Sequence, residues 1–465
     1  MSANDIALMA HLMRRAGFGA TFSELEDLAA RGYEATVEDL VHPEGSPPAD
    51  EDLFDRYEAP SDTVGFRRSS LPRWLYNMVR TGRPLEEKMV LFWHGLFATA
   101  AVKVEPNELL DAQIGTFRKH SLGNFRTILV ELSKDPAMSF WLDNCQSHKD
   151  EPNENYGREL LELFSMGVGN YTEDDVKAAA RAFTGWTFRR IGAGPYRSVF
   201  PKFEYRPEDH DDGEKEFLGE TGRFNGEDVI DIIVRHPATA RFIATKLYNF
   251  FVSDEPDEEA IQTLAGVYVE SGYDIRSVMR ALLLSNFFKQ ARFAKMKSPV
   301  ETIVGVSRLA GDFDMTGGRY LAEAMPIDLM DDSVVRSVNM GQEPLNPPTV
   351  EGWHTGKEWV DSGSLIERIN YASSRMGDLD RPGVRAIHER LAAAGHELTP
   401  AELVDGCLEL IGCYEVSDAT REGLVEYATQ IDSRGLDTAE GRKAFGRTVA
   451  GLLTFIAATP DFQLA

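Results

Sequence analysis

Helix start signals recur along almost the whole chain, and they constrain its fold more than any other feature of the sequence. Near the beginning, Thr21 and Glu24 stand three residues apart in a capping-box pattern. Near the end, Thr399 and Glu402 repeat that pattern around Pro400, a residue type that favours the first turn of a helix. Between them, apolar residues recur every three or four positions in segment after segment. The sequence therefore predicts a mainly α, multi-helical protein.

One stretch departs from the helical pattern. Between residues 187 and 222, the segment VFPKFEY alternates apolar and polar residues, and glycine, proline and acidic residues surround it. Alternation with period two is typical of strands. We expect a small β-hairpin or irregular excursion at 187–222 on a single helical core. We predict that residues 1–375 form this core, which includes the segment 144–169, and that residues 376–465 form a helical segment packed on it.

Composition and charge argue against two classes of partner. The formal net charge is −26, whereas nucleic acids and anionic membranes require a basic face. No run of about 18 apolar residues is present, and the first residues lack the apolar core of a signal peptide. The three cysteines, Cys145, Cys407 and Cys413, have no paired spacing that would indicate disulfides or a zinc module. We expect a soluble, cytoplasmic protein that binds neither nucleic acid nor membrane.

The stretch from Asn144 to Gly169, NCQSHKDEPNENYGRELLELFSMGVG, concentrates chemically versatile side chains. Amide, imidazole, carboxylate and guanidinium groups stand there beside the apolar face of a helix. Polar groups at the edge of a core cost free energy unless they are paired or bind something. The segment therefore predicts a functional site. The candidate catalytic residues are Asn153, Asn155, Arg158 and Glu162.

A mixed histidine and carboxylate site is a second hypothesis. Such ligands suit a divalent metal ion, namely zinc, manganese or iron, better than a thiolate set would. The candidate metal ligands are His94, His148, Glu159 and His210. None of them falls into a diagnostic spacing such as HExxH. His94 also fits a paired core histidine among aromatic residues, and His210 also fits an acidic polar turn.

The same residues permit two functional interpretations. In the first, the protein is an enzyme, with or without a metal ion. Glu159 or Glu162 is then the acid–base group or a ligand, and Arg158 stabilises developing negative charge. In the second, the protein is a non-catalytic binding or assembly protein, and the same polar groups rigidify the loop before Pro152. Its partner is then a small molecule or another protein.

The segment 341–363 is a long loop rich in proline, glycine and tryptophan. Loops of this length inside compact domains often carry function. Its two indoles, Trp353 and Trp359, either cover a pocket as a lid or anchor the loop on the core. The sequence leaves both alternatives open.

Five motifs together resemble one protein family. They are PNENYGRELLELF, FWHGLFAT, AFTGW, HDDGEKEFLG and PPTVEGW. On the basis of these motifs, the chain resembles the family called domain of unknown function 1800. The resemblance extends from His11 to about Ser373. The resemblance implies a largely α-helical fold and brings no established activity. In many members of the family, a second histidine follows the histidine of the FWH motif by two residues. This chain has Leu96 at that position. The difference weakens any hypothesis in which both histidines bind one metal ion.

Overall fold

The computed structural model describes residues 2–50, 67–104, 108–191, 200–313, 326–393, 398–412, 414–429 and 438–465. These residues form 22 α-helices and two small antiparallel sheets of two strands each. The predicted mainly α fold with a small hairpin is confirmed. Cys413 lies outside the described residues.

Ten of the described helices precede the first strand. They are α1 (Ala3–Arg15), α2 (Phe22–Arg31), α3 (Tyr33–Val41), α4 (Arg67–Arg80), α5 (Pro84–Leu96), α6 (Glu108–Lys119), α7 (Phe125–Ser133), α8 (Pro136–Trp141), α9 (Glu154–Glu162) and α10 (Glu173–Ala182). The side chain of Thr21 caps α2 in a complete capping box, and Thr172 does the same for α10. Local sequence therefore determines where these helices begin, because a cap needs only residues within three positions of each other.

The four strands occupy the predicted excursion. β1 (Trp186–Ile191) pairs antiparallel with β2 (Phe200–Tyr205), and β3 (Lys215–Phe217) pairs with β4 (Glu220–Gly222). The connection between β1 and β2 at 192–199 lies outside the described residues. Both pairs have only two strands, so the excursion depends on packing against the helices for its stability.

Twelve described helices follow the strands. They are α11 (Gly226–Arg235), α12 (Pro237–Phe251), α13 (Glu258–Glu270), α14 (Ile275–Leu284), α15 (Asn286–Gln290), α16 (Pro299–Ala310), α17 (Pro326–Asn339), α18 (Ser362–Met376), α19 (Pro382–Ala393), α20 (Pro400–Leu410), α21 (Asp418–Thr429) and α22 (Ala439–Ala457). Helix α18 packs against both α16 and α22, so it joins the two predicted parts of the chain. The division near residue 375 stays a prediction.

Helix α5 runs through the centre of the protein. Nearly all of its side chains are buried, including Trp93 and His94, which are fully enclosed. A helix that is buried on every side belongs inside a core, and the charged side chains of α5 must find partners there. The FWH motif therefore lies in the interior. No helix among the described residues is both long and apolar enough to span a membrane.

Candidate functional site

Two asparagines of the PNENYGRELLELF motif form hydrogen bonds at the N-terminus of α9. Asn153 is the N-cap, and its Oδ1 accepts a hydrogen bond of 2.9 Å from the backbone N–H of Asn155. The Asn153 Nδ2 donates to the carbonyl of Asp143 at 3.4 Å, and the Asn155 Nδ2 donates to the carbonyl of Leu142 at 3.2 Å. Both amides thus tie α9 to the turn that precedes it. The side chains of two of the four candidate catalytic residues, Asn153 and Asn155, are therefore hydrogen-bonded to the backbone of their own segment.

Arg158 joins α9 to α10. Its guanidinium donates two hydrogen bonds of 2.7 Å to the carboxylate of Glu173 and a weaker one to Glu154. The two helices can approach closely because Gly157 has no side chain. A Cβ at this position would stand only 3.1 Å from the backbone of Ala180. Hydrogen bonding to Glu173 raises the pKa of Arg158, so the side chain remains a cation. Arg158 is a partly exposed ion-pair residue whose charge is already balanced.

The two glutamates that follow Arg158 in α9, Glu159 and Glu162, have different surroundings. Glu162 accepts a hydrogen bond of 2.5 Å from the hydroxyl of Tyr171. Glu159 is half-buried and makes no hydrogen bond or ion pair with any side chain in the part of the chain that the structure describes. Burial raises the pKa of Glu159, and the negative charges of Glu162 and Glu351 raise it further, while the positive charge of Arg158 opposes the shift. The surroundings of Glu159 therefore favour the protonated form of its carboxyl group.

Helix α12 completes this surface with a cation. The ammonium of Lys246 lies 5.2 Å from the centre of the Phe242 ring, and that ring lies beside Gly167 in the turn after α9, where an added Cβ would stand 3.4 Å from it. Although much of the Lys246 side chain is exposed, the packing around its ammonium lowers its pKa, and the negative charge of Glu351 opposes that shift. We call the surface formed by Glu159, Glu162, Glu351 and Lys246 the carboxylate face.

Glu351 reaches the carboxylate face because its loop is fixed to α5. The Nε2 of His94 accepts a hydrogen bond of 2.9 Å from the backbone N–H of Leu345, and the imidazole lies edge-on to Trp353. Gly352 rests directly on α5, since a Cβ there would stand 2.4 Å from the carbonyl oxygen of Gly95. Trp359 is buried as well. The loop 341–363 is thus anchored on the core over this stretch.

The other two histidines lie at the turn before β3. The Nδ1 of the exposed His148 is 2.6 Å from a carboxylate oxygen of Asp209. The Nδ1 of the buried His210 bonds the carbonyl of Thr184 at 2.9 Å, so that nitrogen carries the proton. These contacts hold the segment before α9 against the acidic turn. The structure brings His148 and His210 to the same turn, each with a protein partner.

No group of three or more His, Cys, Asp or Glu side chains in the described residues is arranged to hold a metal ion. In particular, no three of His94, His148, Glu159 and His210 come together. Each imidazole already contacts a protein partner, and Glu159 stands on the carboxylate face instead. A metal site built from these four residues stays a prediction.

Sequence reasoning missed three members of this region. Tyr171 and Lys246 stand in ordinary amphipathic surroundings, and nothing local marks them. Glu351 lies in PPTVEGW, beside Trp353, so the motif itself was the available signal. The pairing of that motif with α9 depends on tertiary packing.

A comparison with known families agrees with these motifs. The model of the family described as "Protein of unknown function (DUF1800)" matches residues 11–464. The chain belongs to the DUF1800 family. The resemblance drawn from the motifs is confirmed, and it extends to nearly the whole chain. No curated protein and no solved structure matches the chain. The function of this DUF1800 chain must therefore be argued from its own geometry.

Proposed function

We propose that this DUF1800 chain binds a small, uncharged or cationic polar molecule at the carboxylate face, where Glu159 acts as an acid–base group. One observation carries the proposal. The amides and the guanidinium of the motif are committed to protein partners, whereas the half-buried Glu159 has none among the described residues. A carboxyl group whose pKa is raised by burial and neighbouring charge is suited to donate and accept a proton near neutral pH.

The charge of the carboxylate face selects the class of ligand. Three carboxylates stand there with one ammonium, that of Lys246, and Arg158 is already paired with Glu173. Such a surface repels phosphates and carboxylates. Glycosidic bonds are cleaved by a pair of carboxyl groups, of which the one with a raised pKa acts as the general acid. A neutral glycoside is therefore the substrate class that we favour.

The test is a panel of chromogenic substrates. Neutral 4-nitrophenyl glycosides and esters are the probes, and 4-nitrophenyl phosphate is the anionic comparison. We expect turnover of a neutral probe, with kcat reduced about 100-fold or more in Glu159→Gln, since acid–base groups typically contribute at least that factor. Glu154→Gln is the matched control, because it makes the same change on the same helix at a residue that, among the described residues, forms its ion pair with Arg158.

A second measurement does not need the substrate. Carbon-13 NMR of glutamate-labelled protein, with the Glu159→Gln spectrum to assign the signal, reports the pKa of Glu159 directly. We expect a value above the ordinary 4.5 of a glutamate. An ordinary pKa together with no turnover of any neutral probe would reject the acid–base role.

The alternative is a binding or assembly protein in which the motif is structural. The observation that favours it is the full commitment of Asn153, Asn155 and Arg158 to neighbouring backbone and to Glu173. In that case Asn153→Ala lowers stability, while Glu159→Gln changes neither stability nor any turnover. Glu159→Gln therefore separates the two functions, because it lowers kcat in the first and changes nothing in the second.

A further inference from the structure

A second cluster of charged side chains lies in the core, where α1, α5 and α16 meet α18 and the two segments that contain Tyr414 and Phe462. Five of its cations are at most 8% exposed. They are Arg14, Arg15, Lys88, Lys297 and Arg368. The buried carboxylate that faces them is Glu301, which bonds Arg15 and Lys88 and accepts from the backbone N–H of Ser298. Glu301 thus balances directly only part of this positive charge.

Two of the other cations, Lys297 and Arg368, bond only neutral groups in the part of the chain that the structure describes. Lys297 donates to the hydroxyl of Tyr414 at 2.7 Å and to the carbonyl of Phe462 at 2.6 Å. Arg368 donates to the hydroxyl of Thr302 at 3.0 Å and to the carbonyl of Lys297 at 2.9 Å. Buried charge without a counter-charge is costly, and such groups are normally paired. The cluster therefore carries an excess of positive charge that the core must balance.

A small cavity lies inside this cluster. It has a volume of about 30 Å³, and its walls include Arg14, Lys297, Thr302 and Tyr414 among apolar residues. A buried water needs roughly 10–15 Å³, so the cavity has room for about two waters or for one monatomic ion. Glu301 also lines it, but Arg15, Lys88 and Ser298 already bond the carboxylate oxygens of Glu301.

Two donors are available at the wall of the cavity. The ammonium of Lys297 has three N–H groups, and two of them are accounted for by Tyr414 and Phe462. The hydroxyl of Tyr414 accepts from Lys297, and its own proton has no acceptor among the described residues. The guanidinium of Arg14, which stacks 5.0 Å from the centre of the Tyr414 ring, adds positive charge on the same side.

We propose that this cavity binds a small monovalent anion of the chloride type, held by Lys297 and Tyr414 within the field of the buried cations. The anion balances the excess charge that Glu301 leaves uncompensated. The bound anion also links the two segments that contain Tyr414 and Phe462 to α1 and α16. This site is independent of the carboxylate face, so its test does not depend on the proposed enzymatic activity.

The direct test is crystallographic, with sodium bromide in place of sodium chloride. We expect an anomalous bromine peak in the cavity, within hydrogen-bonding distance of Lys297 Nζ and Tyr414 Oη. Ordered waters or a protein carboxylate in that position, with no bromine peak, would overturn the proposal.

The solution test compares chloride with gluconate, an anion too large for the cavity, at constant ionic strength. We expect the melting temperature to rise by several degrees with chloride and to saturate, as it does for a ligand that binds only the folded state. Lys297→Met abolishes this dependence, and Lys119→Met, which removes an exposed lysine elsewhere, preserves it.

Tyr414→Phe keeps the assay informative if Lys297→Met does not fold. Loss of one hydrogen-bond donor reduces chloride affinity by about tenfold. The same variant identifies a competing source of negative charge, namely ionised Tyr414. A phenolate absorption band in the wild-type protein that Tyr414→Phe removes, with equal melting temperatures in chloride and gluconate, would refute the anion site.

Discussion

The imidazole of His94 accepts a hydrogen bond of 2.9 Å from the backbone N–H of Leu345, which stands 251 positions later in the chain. Burial lowers the pKa of His94 to about 3, so the ring is neutral at physiological pH. Because Nε2 is the acceptor, the proton resides on Nδ1. The FWH motif and the loop 341–363 are therefore one structural unit, and that unit carries Glu351 to the carboxylate face.

Replacement of His94 by leucine tests this anchoring. The substitution leaves the buried N–H of Leu345 without its acceptor, so we expect the free energy of unfolding to fall by about 1–3 kcal/mol. Urea denaturation measures the change. His354→Ala, at a side chain that is 80% exposed, is the control and should stay within about 0.5 kcal/mol of wild type. Equal losses in both variants would contradict an anchoring role.

Gly352 offers a second test of how the loop sits on α5. Its φ is +85°, and an added Cβ would stand 2.4 Å from the carbonyl oxygen of Gly95. Gly341 has a φ of +97° but nothing within 4 Å of the added Cβ. We expect Gly341→Ala to cost about 1–2 kcal/mol through backbone strain alone. Gly352→Ala should cost a further 1–3 kcal/mol, roughly, because of overpacking, as measured by chemical denaturation. Similar losses of stability in the two variants would show that the loop can move away from α5 at Gly352 and so avoid the overlap.

Asn153 should contribute to stability mainly as a helix cap. Asn153→Ala removes the acceptor for the backbone N–H of Asn155. The expected loss in the free energy of unfolding is about 0.5–2 kcal/mol. Asn153→Ser retains a capping oxygen and should recover most of that loss in the same thermal and urea experiments. A serine variant as unstable as the alanine variant would assign the effect to the bond between Asn153 and Asp143 instead.

The buried carboxyl group of Asp135 should make the free energy of unfolding depend on pH. This N-cap of α8 is buried, and burial raises its pKa to about 7 from the ordinary 3.8. Between these two values the folded state binds more protons than the unfolded state, so the contribution of Asp135 to stability falls as pH rises. The slope is about 1.4 kcal/mol per pH unit.

Asp135→Asn preserves the cap and removes the titration. Its stability relative to wild type, from urea midpoints at a series of pH values, should therefore increase between about pH 4 and pH 7. Parallel curves for the two proteins would mean that Asp135 titrates normally in the folded state.

Contacts between near neighbours were predictable from the sequence. The capping boxes at Thr21, Thr172 and Thr399 form as their spacing predicts. Each depends on residues three positions apart, whose geometry the backbone itself sets. The helical fold and the small β-hairpin follow from such local patterns, and the five motifs were sufficient to identify the family.

The candidate site depended on contacts that no local pattern encodes. His94 bonds Leu345, His148 bonds Asp209, and the pKa of Glu159 is raised partly by Glu351. The sequence by itself determined which segments become helices and which polar side chains stand at the edge of the core. Only the tertiary structure decided which of those side chains are paired and which have no partner among the described residues, because burial and charge at one residue depend on every element packed around it.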